Sequence, residues 1–197
     1  IGIGTNYADH AAEMNSEHPA EPLIFLKPST SVIGPNDAIA LPRQSTMVHH
    51  EAELAVVIGR FCKDVPRERV ADVILGYTCA NDVTARDLQK TDGQWARGKG
   101  FDTFCPLGPW IQTDIDVSDL GVTAYVADQL RQSGSTKDLI FSVVDIVSFV
   151  SHQMTLLPGD VILTGTPAGV GPILPGDEVE VSIEGIGSLV NRVEQAR

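Results

Sequence analysis

The stretch VHHEAELAVVIGR, Val48 to Arg60, decides how this chain is read. Leu54, Ala55, Val56, Val57 and Ile58 form a continuous apolar run, as a strand inside a core needs. Yet the run is entered through two histidines and two carboxylates. Successive strand side chains alternate faces, so Glu51 and Glu53 are expected on one side. Two like charges ~4 Å apart repel by about 4 kcal/mol at an effective dielectric of roughly 20. Taken alone, the Glu-x-Glu reads as two solvated side chains on an edge strand. The alternative is two arms of a site for a hard divalent cation, which takes oxygen ligands.

The rest of the chain bounds the answer. Its 197 residues suffice for one core of good size. With 43% hydrophobic and 20% charged residues it has an ordinary globular composition. A net charge of −12 argues against nucleic acid and against anionic membrane surfaces, both of which need basic patches. No apolar run is long enough to span a bilayer, and no signal-peptide pattern is present. Cys62, Cys79 and Cys105 are odd in number and widely spaced, which fits a reducing, cytoplasmic setting better than a disulfide framework. With no repeat, linker or low-complexity tract, residues 1–197 read as a single domain. The start at IGIG, without Met, reads as a strand already under way, with an N-terminal piece missing.

IGIG is a short strand, and TNYADHAAEM a short helix with Thr5 or Asn6 as N-cap. LIFLKP, DAIALP, LGYTCAND and GDVILTGTP read as further strands. PRERVADVI reads as a helix, VTARDLQ as a helical turn and KTDGQWARGKGFDTF as a loop. CPLGPWIQ, with two prolines, reads as an edge-like strand. GVTAYVADQLRQSGS is a hairpin, and IVSFVSHQM a helix capped in the region Ser142 to Asp145. GDEVEVSIEGIGSLVNRV is a strand pair around Gly185 and Gly187. Strands outnumber helices, so the expectation is a β-rich α+β domain with a mixed sheet folded on itself as a roll or sandwich.

A third oxygen ligand is expected from Asp82, where an apolar strand gives way to a turn. If a helical turn follows, Asp82, Arg86 and Gln89 fall at i, i+4 and i+7 on one stripe. Arg86 then suits a carboxylate, bound as a bidentate fork. Its alternative is a surface Asp–Arg pair, worth little. Lys99, flanked by glycines, is a candidate oxyanion partner or a solvated loop lysine. His10 and Glu13, three apart, share a helix face, as a carboxylate orienting a general-base imidazole does, or as an incidental surface pair does. His50 falls on the face opposite Glu51 and reads as structural. TGTPAGVG lets backbone approach a ligand but lacks nucleotide-loop spacing. There Thr166 can offer its hydroxyl and N–H to a carboxylate.

Together NYADHAAE, FLKPST, HHEAELAVVIG, NDVTARDLQ, GKGFDTFCPLGPW, GDVILTGTPAGVG and PGDEVEV resemble the fumarylacetoacetate hydrolase family. The likeness is to its short-chain acylpyruvate hydrolase and oxaloacetate decarboxylase type, and it runs in order over nearly the whole chain. It implies the β-rich roll of that family's C-terminal domain, a homodimer, and Mg²⁺ or Mn²⁺ held by Glu51, Glu53 and Asp82. It also implies a catalytic His10–Glu13 pair on a mobile lid. Arg86, Gln89, Lys99, Thr166 and Lys27 become substrate or oxyanion contacts. Members of this type often carry an N-terminal extension ahead of the segment matching IGIG.

The implied chemistry is hydrolysis of a carbon–carbon bond in an acylpyruvate-type 2-oxo acid, through a metal-bound pyruvate enolate. His10, oriented by Glu13, would activate water, with Lys99 and Gln89 at the oxyanion. Oxaloacetate decarboxylation would give the same enolate, and isomerisation of 2-hydroxyhepta-2,4-diene-1,7-dioate would need proton movement alone on a metal-bound 2-hydroxy acid. Three carboxylates and a dication leave −1, which Arg86 and Lys99 would offset. The loop Asn15 to Glu21 is expected to tune substrate choice. A binding domain without chemistry would lack a ligand or the general base, whereas every one of these residues is present.

Overall fold

The computed structural model describes residues 1–14 and 18–196. The opening stretch is not one strand: it divides at Glu51 into β5 (Val48–His50) and β6 (Ala52–Ile58), in different sheets. β6 is the middle of a seven-stranded sheet. Its order is β2 (Leu23–Phe25), β1 (Gly2–Gly4), β12 (Val161–Leu163), β6, β7 (Ile74–Asn81), β9 (Cys105–Gln112) and β3 (Val32–Ile33). Every residue of β6 is buried. A central strand covered on both faces has no solvent-facing positions, so from Leu54 to Ile58 its sequence is continuously apolar instead of alternating, with Glu53 the one charged residue.

β5 pairs instead with β8 (Thr84–Ala85) and β13 (Gly171–Pro172). A third, five-stranded sheet runs β11 (Gln129–Ser135), β10 (Gly121–Val126), β14 (Glu178–Ile183), β15 (Gly187–Gln195), β4 (Ala38–Leu41). Parallel pairs β1·β12, β3·β9 and β15·β4 sit among antiparallel ones, so the sheets are mixed. The large sheet must curl. β2 and β3 are its two edges, yet only seven residue steps join Phe25 to Val32. That is at most ~25 Å of chain, whereas a flat sheet of this width spans roughly 29 Å.

The main core lies between β6 of the large sheet and β10, β14 and β15 of the five-stranded one. Leu54, Val56 and Ile58 meet Val122, Val181, Ile183 and Leu189 there. Helix α4 (Val143–Gln153) closes it with Val143, Ile146, Val147 and Val150. A second core, around Phe104, Val83, Ile173 and Val193, packs the small sheet. This is the β-rich α+β sandwich roll expected from the sequence.

The hairpin turn Ala127–Asp128 takes φ of 48° and 60°, the type I′ turn that matches strand twist. Ser142 and Asp145 form a reciprocal capping box on α4. Elsewhere tertiary context overrides the local reading. Helix α1 (Ala8–Glu13) starts after Tyr7, not Thr5 or Asn6. Thr5 is left-handed (φ 56°), and the Asn6 amide instead bridges Phe141 and Thr164. PRERVADVI forms a 3₁₀ turn, Arg67–Asp72. The loop expected before Cys105 contains helix α3 (Ala96–Lys99) and the end of α2 (Arg86–Asp92). β9 is not an edge strand, because β3 pairs with its first two residues. No helix among the described residues is long and apolar enough to cross a membrane.

Candidate metal centre

The division at Glu51 builds the site. β6 and β7 pair antiparallel with Ala52 opposite Asn81, so Glu51 and Asp82 meet just beyond the paired ends. The Asp82 N–H donates to the Glu51 carbonyl at 2.9 Å, and Asn81 Oδ1 accepts from the Glu51 N–H at 3.0 Å. Glu53 enters from β6. Each of Glu51, Glu53 and Asp82 is buried and offers an oxygen within 4.8 Å of the others. An all-oxygen, all-carboxylate donor set suits a hard divalent cation.

Three buried cations surround them. Arg86 pairs with Glu51, and its Nη1 donates to Gln89 Oε1 at 3.0 Å. Lys99 Nζ donates to Glu51 at 2.9 Å, Asp82 at 2.6 Å and Thr84 Oγ1 at 2.8 Å. Lys27 Nζ reaches the other Asp82 oxygen at 2.5 Å. Burial alone would raise the Glu51 carboxyl, but Arg86 and Lys99 hold it well below the ordinary carboxylate range. Glu53 goes the other way: burial, then the Asp82 and Glu51 charges, push it well above. It has no ion pair of its own among the described residues, and accepts only the Gly165 N–H, at 2.6 Å. A divalent cation supplies the positive charge that Glu53 lacks, so the residues present fit such an ion.

On α1, His10 Nδ1 lies 2.9 Å from Glu13 Oε2, and Glu13 Oε1 accepts from the Gly169 N–H at 3.0 Å. His10, the three carboxylates, Arg86, Gln89, Lys99 and Thr166 line one cavity of about 270 Å³. Its apolar side is Ile3, Met14, Phe25 and Trp95, with the two aromatic rings edge to face at 5.5 Å. Gly4 makes room for Trp95, since a Cβ there would lie 2.4 Å from that ring.

The structure therefore brings together Glu51, Glu53, Asp82, His10, Arg86, Gln89, Lys99 and Thr166. It changes how several of them get there. Asp82 is not on a helix with Arg86 and Gln89: β8 intervenes, and only Arg86 and Gln89 share α2. Lys27 lies behind Asp82 and does not line the cavity. The Thr166 hydroxyl is taken up by the Ala52 carbonyl at 2.8 Å, so its backbone N–H is the donor left for a ligand. All three Lys99 protons are engaged by protein groups. His50 is buried among structural partners, its ring pushed down to about 4 by desolvation. Of the loop Asn15 to Glu21, residues 15–17 lie outside the described residues. Sequence reasoning missed the Phe25–Trp95 wall, the Gly165 N–H and Gln132. The rings carried only the signal of isolated aromatics, and a backbone amide carries none.

Comparison with known proteins places this geometry. The C-terminal domain family of fumarylacetoacetate (FAA) hydrolase matches residues 1–194. A 5-carboxymethyl-2-hydroxymuconate delta-isomerase from Mycobacterium smegmatis is 57% identical with a TM-score of 0.94, covering 100% of this chain and 78% of its own. A 2-hydroxyhepta-2,4-diene-1,7-dioate isomerase from Mycobacterium marinum is 54% identical, TM-score 0.92, covering 98% and 73%. A fumarylpyruvate hydrolase from Pseudomonas aeruginosa, solved in complex with Mn²⁺ and pyruvate, is 34% identical, TM-score 0.92, covering 98% and 88%. With the family matched over almost its whole length, this chain belongs to the fumarylacetoacetate hydrolase family.

Proposed function

We propose that this chain is a divalent-metal-dependent hydrolase that cleaves a carbon–carbon bond in acylpyruvate-type 2-oxo acids, such as fumarylpyruvate or acetylpyruvate. The observation that carries the proposal is the buried carboxylate trio sharing one cavity with the His10–Glu13 pair. Glu51, Glu53 and Asp82 would hold Mg²⁺ or Mn²⁺, and the hydrolase relative bound to Mn²⁺ and pyruvate supports that choice. When bound, the ion supplies a Lewis acid for a chelating 2-oxo acid.

The protein's own residues divide the remaining work. Glu13 fixes the His10 ring through Nδ1 and leaves Nε2 to take a proton from water attacking the distal carbonyl. The Gln89 side-chain amide donates to the oxyanion that forms there. The Thr166 N–H receives the substrate carboxylate. Phe25 and Trp95 exclude bulk water. Lys27 orients Asp82. The three carboxylates and the three cations Arg86, Lys99 and Lys27 cancel formally, so a dication leaves a doubly positive site, which matches a dianionic substrate. Lys27 is what moves this count beyond the Arg86 and Lys99 expected from sequence. The reading carries a cytoplasmic homodimer acting on a small molecule.

A second reading, isomerisation of a 2-hydroxy-dienedioate, is favoured by the two isomerases at 57% and 54% identity. There His10 would move a proton between carbons without activating water. A panel of acetylpyruvate, fumarylpyruvate, oxaloacetate and 2-hydroxyhepta-2,4-diene-1,7-dioate, compared by kcat/KM on Mn²⁺-loaded protein, separates the readings. Hydrolysis predicts the highest value on an acylpyruvate. Turnover of the dienedioate alone selects the isomerase, and preference for oxaloacetate selects a decarboxylase. Inertness toward all four rejects an enzyme of this type.

A further inference from the structure

Gln132 sits on β11, in the sheet that supplies none of the residues described above as lining the cavity. Its neighbours on that strand are mostly exposed, yet Gln132 has 0% exposure. All four of its side-chain hydrogen-bond positions are filled. Oε1 accepts from the Ala52 N–H at 2.9 Å and meets His50 Nδ1 at 3.0 Å. Nε2 donates to Thr166 Oγ1 and to the Pro167 carbonyl, both at 2.7 Å. Ala52 N–H can only donate and Pro167 C=O can only accept, so the amide has one orientation, and His50 must carry its proton on Nδ1. The Thr166 hydroxyl then donates to the Ala52 carbonyl. Gln132, Thr166 and Ala52 close a ring.

Both sides of that ring matter. Ala52 is the residue between Glu51 and Glu53, where the chain passes from one sheet to another. Thr166 belongs to the turn 165–169. The Gly165 N–H of that turn holds Glu53, its Ala168 N–H reaches Asp9 at 3.4 Å, and its Gly169 N–H holds Glu13. The turn is pressed onto β11: a Cβ at Gly169 (φ 101°) would lie 2.1 Å from the Arg131 carbonyl oxygen. One turn thus touches a metal-ligand carboxylate at one end and the partner of His10 at the other. The one side chain linking that turn to the backbone between the two glutamates from outside is Gln132, among the described residues.

We infer that Gln132 is a positioning residue, which sets the spacing between the Glu51–Glu53 pair and the turn that holds Glu13 and presents the Thr166 N–H. The inference rests on the metal-dependent reading above. Two variants test it. Gln132→Met keeps the bulk but removes every polar contact and leaves the Ala52 N–H unpaired. Gln132→Glu keeps the acceptor for Ala52 and His50 but sets an oxygen against the Pro167 carbonyl, which releases only the turn.

Mn²⁺ affinity by calorimetry, kcat and KM, thermal unfolding and amide exchange at residues 165–169 are measured on each. Gln132→Met is expected to weaken Mn²⁺ binding about tenfold and to lower kcat about a hundredfold, the usual range for groups that orient metal ligands. Gln132→Glu is expected to hold Mn²⁺ affinity within about threefold while kcat falls more than about tenfold. Exchange at 165–169 quickens in both. Faster exchange with wild-type affinity and kcat would make Gln132 merely structural and overturn the proposal. Should Gln132→Met not fold, Gln132→Glu decides alone, and wild-type kcat in it overturns the proposal. A wild-type protein that binds no Mn²⁺ removes the metal reading itself, and the positioning role with it, before any variant is compared.

Discussion

Glu51 and Glu53 are two positions apart and have opposite electrostatics. Glu51 is held between Arg86 and Lys99, while Glu53 is buried against two like charges with a single amide donor. Neutralising them should therefore have opposite effects on metal-free protein. Glu51→Gln leaves Arg86 without a carboxylate partner, while Lys99 keeps Asp82, and is expected to cost about 3–5 kcal/mol, the range for breaking a buried pair. Glu53→Gln replaces a carboxyl whose charged form is disfavoured by burial and by Asp82 and Glu51, and is expected to raise Tm. Both should abolish Mn²⁺ binding. Thermal scans with and without EDTA, beside calorimetric titration, check the contrast; a lower metal-free Tm for Glu53→Gln would contradict it. His10→Ala belongs to the same scale. It should lower kcat by roughly 10²–10⁴, the range for a general base, with Mn²⁺ affinity unchanged. Full acylpyruvate cleavage by that variant would remove the water-activating role.

Among elements, α4 is the clearest case of local sequence agreeing with structure. Its capping box and its stripe of Val143, Ile146, Val147 and Val150 specify the same helix. Ser142→Ala should cost about 1 kcal/mol, read as a lower urea midpoint with unchanged m. The site elements agree less. Alternation along one continuous strand led to Glu51 and Glu53 on one side, and their oxygens are indeed close. The cause is different: Glu51 lies between strands, and its position is set by Asn81 and by the Asp82 N–H. The local spacing in NDVTARDLQ predicts a helical stripe from Asp82 to Gln89. The stripe fails because Thr84 and Ala85 are drawn into the small sheet beside β5, so the helix starts only at Arg86.

For the whole molecule, an ion that binds only the folded state stabilises it by mass action. Mn²⁺ at a hundred times its Kd should add about 2.7 kcal/mol, seen as a rise in Tm that EDTA reverses. The thiols give a second global test. Burial pushes Cys79 up to about 12 and Cys105 up to about 11, and raises Cys62 as well. At pH 8 almost no thiolate exists at Cys79 or Cys105, so both should resist iodoacetamide in native protein and react in denaturant. Rapid native labelling of either would contradict the burial. The sequence by itself determined the β-rich class, the central strand and α4, because hydrophobic pattern and capping are local properties. The three carboxylates and the His10–Glu13 pair are singled out by the resemblance of the joint motif set to one family, since each motif alone reads equally as a solvated surface, and the fold gathers them around one cavity. The tertiary structure alone decided that Lys27 supports Asp82, that the Thr166 hydroxyl faces Ala52, and that Gln132 reaches across from another sheet. Those contacts join residues 34 to 114 positions apart, and no local pattern records which distant polar group a buried donor will find.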